Sequence, residues 1–295
     1  MDRPILNFSV ALFLFISGYL TCQKIDDIKS FYKRRLLRVG IPYVIWSIAY
    51  MIPLVIKNTI TIKRALTYLL TGKICVPFYF IFVYVQLVLV TPFIIKMAKS
   101  KYLFVGFTIS PISIIITRYL LPYLDIKLSF PFGTENVFNW LLFYYLGILL
   151  GNNIISFKMN MKKEIVWYVI CLVVSGLEGM LWYKQGNFDM ATTQLRLSSI
   201  LTSVVALLLS YSFITEDSYI THNNIFIRFM ISLGNCSFGI YLSHMIFIMV
   251  FSRIHFLDIM SFPVLTILVL IISWLFVLIG ERIFGAENSK KYLGL

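Results

Sequence analysis

The densest group of chemically able side chains is Phe31-Tyr32-Lys33-Arg34-Arg35-Leu36-Leu37-Arg38, which runs on into Val39-Gly40-Ile41-Pro42-Tyr43. Arg35 and Arg38 are three positions apart, so on a helix they share one face, with Arg34 beside them. Two guanidinium groups so placed can fork onto phosphate oxygens, which a lysine ammonium does less well. The alternative is an anchor on anionic lipid, the usual work of basic residues next to a membrane span.

A second group is Ser237-Phe238-Gly239-Ile240-Tyr241-Leu242-Ser243-His244. Ser237, Tyr241 and His244 fall at i, i+4 and i+7, one stripe over two helical turns. His244 can serve there as a base near neutral pH or as an interhelical hydrogen-bond partner. A third is Glu178, inside the apolar run around Ser175-Gly176-Leu177-Glu178-Gly179. A carboxylate at that depth is costly unless it is paired or solvated by a cavity. An ion pair with Arg196 and a role in binding an acceptor are both open. Ser17-Gly18 closes the run Val10–Leu20, and such a pair lets another backbone or a thin ligand come close. Gly147 and Gly151 form a small-xxx-small pair that reads as helix packing. Arg118 can snorkel toward an interface, and His222 and His255 read as solvated loop residues.

Other chemistry is missing from the 295 residues. There is no HExxH, P-loop, GxSxG or glycine-rich dinucleotide turn. With three histidines in the chain, no polyhistidine metal site and no metal are expected. Cys22, Cys75, Cys171 and Cys236 are far apart in or beside apolar runs and read as packed thiols.

The elements that must position these residues follow from composition. Hydrophobic residues make up 59% of the chain and charged residues 13%, with mean hydropathy +0.86. A soluble domain is closer to half apolar and a quarter charged, so this surface cannot all face water. The apolar runs are near helix length, which predicts an all-α polytopic transmembrane bundle rather than a barrel. Nine runs stand out, at about 4–22, 39–57, 75–97, 102–122, 137–155, 165–183, 197–214, 233–251 and 262–280. No repeat or linker interrupts them, so residues 1–295 read as one membrane domain. The first run reads as a true span rather than a cleaved signal, because no small-x-small site follows it.

The net charge of +13 is explained by loop orientation, and no nucleic-acid partner is expected. With the 23–38 loop in the cytoplasm, that side collects the majority of the 26 Lys and Arg. Lys57, Lys63, Arg64 and Lys73 are the main exceptions. This orientation puts the C-terminus inside and, with nine spans, Met1 outside.

Five segments in register resemble the acyltransferase-3 family of integral membrane O-acyltransferases. They are Phe13 to Leu20, with its Ser-Gly-Tyr-Leu; Arg34-Arg35-Leu36-Leu37-Arg38 with Pro42-Tyr43 and Trp46; Pro77-Phe78-Tyr79-Phe80 running to Thr91-Pro92; Phe143-Tyr144-Tyr145-Leu146-Gly147; and Ser237 to His244. The resemblance implies a ten-span pattern and transfer of an acyl group, often acetyl, from cytoplasmic acyl-CoA to a sugar or glycan hydroxyl. It implies a CoA-side role for Arg35 and Arg38, with Arg34 beside them. Glu178, Ser17 and Tyr241 become candidate substrate residues. The acceptor would be a cell-surface glycan or lipid-linked sugar, and the site a bacterial-type inner (plasma) membrane. The family's first span carries an arginine and, about eleven residues later, a histidine thought to act in catalysis. This chain opens on what resembles the second span, so it is expected to lack that pair, leaving His244 as the candidate base. A catalytically inactive homologue and a glycan-lipid transporter or flippase are the alternative readings.

Overall fold

The computed structural model describes residues 8–21, 25, 27–57, 59–126, 128–158, 160–216, 225–253 and 262–294. Cys22, His222 and His255 lie outside them. The described residues are helical and contain no strand. In chain order the helices are α1 Ser9–Tyr19, α2 Ile28–Ile56, α3 Ile62–Thr71, α4 Tyr79–Ala98, α5 Val105–Ile114, α6 Val137–Gly151, α7 Met161–Lys184, α8 Phe188–Thr192, α9 Leu197–Glu216, α10 Ile225–Asn235, α11 Ser237–Phe251 and α12 Phe262–Phe284.

Among the described residues, six helical stretches are long and apolar enough to cross a membrane: Ile28–Ile56, Val76–Ala98, Val105–Tyr123, Met161–Lys184, Phe188–Ser212 and Pro263–Phe284. The pair α10 and α11 makes a seventh if read as one broken span, bent by 76°. The two other expected runs form shorter apolar helices, α1 and α6. Each of the nine runs therefore holds a helix among the described residues, but the eighth differs from expectation. The run at about 233–251 is not one straight rod, because the chain turns at Cys236 between α10 and α11.

α2 also differs. It starts eleven residues before its apolar run and carries the arginines in the same rod as Tyr43, Trp46 and Tyr50. Its 29 residues make it about 43 Å long, beyond the roughly 30 Å of hydrocarbon. Pro42 and Pro53 lie inside it. Each lacks an N–H and so frees the carbonyl four residues back, at Arg38 and Ala49. Pro111 likewise lies in α5, and the helix then widens into a π-helical turn at Ile115–Leu120.

The chain forms two compact units. One comprises Met1–Ile28 and Phe82–Ser218, the other Lys29–Ile81 and Tyr219–Leu295. At the centre of the first is α6, buried on nearly every side and capped where Asn136 accepts the Phe138 N–H at 3.0 Å. α1 packs against α6 backbone to backbone. A Cβ on Gly18 would run into the Tyr144 carbonyl, one on Gly147 into the Phe15 carbonyl, and one on Gly151 into the Tyr19 carbonyl. With no hydrophobic driving force between helices in lipid, such close backbone approach is one way membrane helices gain contact energy. The packing role of Gly147 and Gly151 holds, and Gly18 shares it. The Tyr144 hydroxyl pins the same contact, 2.9 Å from Thr91 Oγ1 and 3.3 Å from Thr21 Oγ1.

The second unit is organised around aromatic rings. Phe78 is fully buried, with Tyr43 at 5.5 Å and Tyr50 at 5.6 Å between ring centroids, both edge-on. Trp46 meets Phe276 at 6.0 Å, and its indole N–H donates to the Leu293 carbonyl at 3.0 Å. Edge-to-face pairs of this kind add to the dispersion energy of burial.

Candidate functional site

In the second unit, α2 presents Arg34, Arg35 and Arg38 within an arc of about 100°, as 3.6 residues per turn requires. Arg35 is half-buried, its guanidinium carbon 5.9 Å from the centroid of the buried Phe31 ring one turn back. That cation–π contact limits how far the head group can wander. The Arg34 Nε donates to the Ser30 carbonyl at 3.4 Å, and Arg34 and Arg38 are exposed. The turn thus offers several guanidinium donors on one side of one helix, the geometry that forked phosphate recognition needs.

About 18 Å further along the α2 axis than Arg38 lies Tyr50. Its hydroxyl donates to the Leu242 carbonyl of α11 at 2.8 Å. α11 carries Tyr241 and His244. The Tyr241 hydroxyl donates to the Pro77 carbonyl, and its ring packs on Phe80 and stacks with Phe238. His244 is half-buried, with Nδ1 2.7 Å from the Tyr241 carbonyl and 3.2 Å from the Ile240 carbonyl. A carbonyl only accepts, so Nδ1 carries the proton in these bonds. The neutral ring then keeps its lone pair on Nε2, the atom a general base needs. Tyr241 and His244 sit together, with ring centroids 6.1 Å apart.

The first unit holds Glu178, on α7. Its Oε1 accepts from the Tyr119 hydroxyl at 2.7 Å and the Trp182 indole N–H at 3.3 Å, and its Oε2 accepts from Ser198. Tyr119 in turn accepts the Leu197 N–H at 3.2 Å. Arg196 is fully buried close by and is attracted electrostatically to Glu178. It does not form a contact ion pair with it. Its donors go to Ser199 Oγ at 3.3 Å, the Ala191 carbonyl at 3.2 Å and Ser175 Oγ at 3.4 Å. Gly179 makes the room, since a Cβ there would come within 2.6 Å of the guanidinium. Among the described residues the ion pair found is Arg118 with Asp189, at 3.3 Å. Arg118 also donates to Thr193 at 3.0 Å. It is therefore tethered to the segment after α7 rather than snorkelling freely.

Ser17 lies half-buried on α1, in the first unit, and takes no part in the Glu178 network among the described residues. Its carbonyl accepts from Thr21. Of the partners of Glu178, Trp182 stands four residues on in the same helix, a spacing the sequence offers. Tyr119 and Ser198 come from two other helical segments, and no spacing links them to Glu178.

These helices, apolar over most of their length and threaded by buried polar networks, define a multi-pass membrane protein. A family model described as an acyltransferase domain matches residues 3–278, and the chain belongs to the acyltransferase-3 family. No curated protein and no solved structure matches the chain.

Proposed function

We propose that this chain transfers an acyl group, in the first instance acetyl, from cytoplasmic acyl-CoA to a hydroxyl of a cell-surface glycan or lipid-linked sugar. The observation that carries the reading is α2 itself. In a member of this family, one continuous helix holds three arginines within little more than one turn and, about 18 Å on, a tyrosine bonded beside the His244 helix. An acyl-CoA has the matching layout, with phosphates at one end and a thioester at the other. Arg34, Arg35 and Arg38 take the phosphates.

His244 is the base in this proposal. The acceptor oxygen attacks the thioester carbonyl carbon while its proton passes to Nε2. The tetrahedral intermediate then breaks its C–S bond, and the proton goes to the departing CoA sulfur. Tyr241, whose ring lies beside that of His244, is assigned to the acceptor. The protein works in the plasma membrane of a bacterial-type cell with its C-terminus in the cytoplasm.

The test is mass spectrometry of surface glycans from cells with and without the chain, together with transfer of labelled acetyl from acetyl-CoA by the purified protein. Loss of an acyl mass on deletion supports the reading. Unchanged glycans would overturn it, and movement of a lipid-linked sugar across vesicles without acyl-CoA would put a flippase in its place.

A further inference from the structure

α3, Ile62–Thr71, was not expected from the apolar runs, being short and charged. Its ends are well made. Thr61 caps the first turn by accepting the Arg64 N–H at 3.3 Å, and Gly72 closes the last in the left-handed conformation, φ 69°. At 100° per residue its side chains sort into three faces rather than two. Ala65, Tyr68 and Leu69 are the buried or half-buried face, tied to the unit where the Tyr43 hydroxyl donates to the Leu69 carbonyl at 2.5 Å. Ile62, Leu66 and Leu70 form a second face, 71%, 56% and 72% exposed. Lys63, Arg64, Thr67 and Thr71 form the third. The three centres are roughly 100–140° apart around the helix.

A helix in water needs one apolar face, the one packed on its protein. A second apolar face, bare of protein and bordered by cations, suits the boundary between acyl chains and headgroups. Chain continuity puts α3 there, because only residues 72–75 separate it from the membrane-spanning stretch Val76–Ala98. Lys57, Lys63, Arg64 and Lys73 supply four exposed positive charges in and beside it.

We infer that α3 is an interfacial helix that inserts Ile62, Leu66 and Leu70 among acyl chains and holds the anionic headgroups of phospholipids with Lys63 and Arg64. Their matching charge selects phosphatidylglycerol-like lipid over a zwitterionic one. The same placement accounts for the four cations that run against the positive-inside pattern, since they answer to headgroups rather than to orientation.

The experiment uses the full chain in vesicles of phosphatidylcholine with or without phosphatidylglycerol. A photoreactive benzophenone amino acid replaces Leu66 in one preparation and Thr67 in another. Lipid should be captured from position 66 and not from 67. Separately, Lys63→Gln with Arg64→Gln should cut the preference for phosphatidylglycerol by about tenfold or more, as two interfacial charges imply. Capture of protein or of nothing at position 66 overturns the inference, as does an unchanged lipid preference in the folded double variant. The crosslinking arm uses only residues on the exposed faces, so a misfolded charge variant does not leave the matter open. Neither arm reads acyl transfer, so its result is independent of the proposed activity.

Discussion

The Tyr50 hydroxyl of α2 reaches the Leu242 carbonyl of α11 at 2.8 Å. This single bond ties the helix bearing the arginines to the helix bearing His244, two residues beyond Leu242. Tyr50→Phe keeps the ring on Phe78 and removes the bond. It should lower acyl-transfer kcat about tenfold or less while leaving CoA affinity unchanged, the scale of one net hydrogen bond. A fall in CoA affinity with kcat intact would show that the bond does not position α11.

Arg35→Gln with Arg38→Gln should weaken CoA binding by at least tenfold per residue, since a hydrogen bond to a charged group contributes about 1.5–3 kcal/mol. Isothermal titration with CoA and with dephospho-CoA measures it. Parent-like affinity in a normally folded double variant would remove the arginines from the donor site.

Gly147→Ala tests the α1–α6 contact. The new Cβ meets the Phe15 carbonyl, and overpacking of this kind costs roughly 1–3 kcal/mol. The thermal unfolding midpoint in detergent should fall. Gly176→Ala is the control, because nothing lies within 4 Å of a Cβ there, and its midpoint should stay within a degree or two of the parent (about 0.5 kcal/mol or less).

Glu178→Gln separates a structural carboxylate from an acceptor-binding one. The amide nitrogen would face hydroxyl and indole donors where a carboxylate oxygen now accepts from them. A purely structural role predicts a lower unfolding midpoint with the acceptor KM unchanged among surviving molecules. An acceptor role predicts a raised KM for acceptor with KM for acetyl-CoA unmoved.

Cys75, at the start of the third apolar run, is buried. Alkylation of Cys75 at pH 8 should be far slower than that of a free thiol. Equal rates would place it outside the packed core.

Orientation is testable at Ser30 and Lys290, both exposed, whereas neighbouring Ser289 is buried and donates to the Gly280 carbonyl at 3.1 Å. A cysteine at either exposed position should resist an impermeant reagent in intact cells and react after lysis. Labelling of Ser30→Cys in intact cells would reverse the topology.

The sequence by itself determined the helical membrane class, the nine apolar runs and the shared face of Arg35 and Arg38. Those depend on local quantities, hydropathy over one span and 3.6 residues per turn. It also held α3, whose Ile62, Ala65, Leu66, Leu69 and Leu70 keep helical spacing, but a search tuned to span-length runs passes over a ten-residue helix that carries two charges. Only the tertiary structure decided that Gly18 packs as Gly147 does, because that depends on which backbone arrives opposite. It also decided that Glu178 is held by Tyr119, Trp182 and Ser198 while Arg196 turns to neutral oxygens. A buried charge takes whichever donors the packed helices bring within about 3 Å. Trp182 is one helical turn away, but Tyr119 and Ser198 arrive in three dimensions from segments that no sequence spacing connects to Glu178.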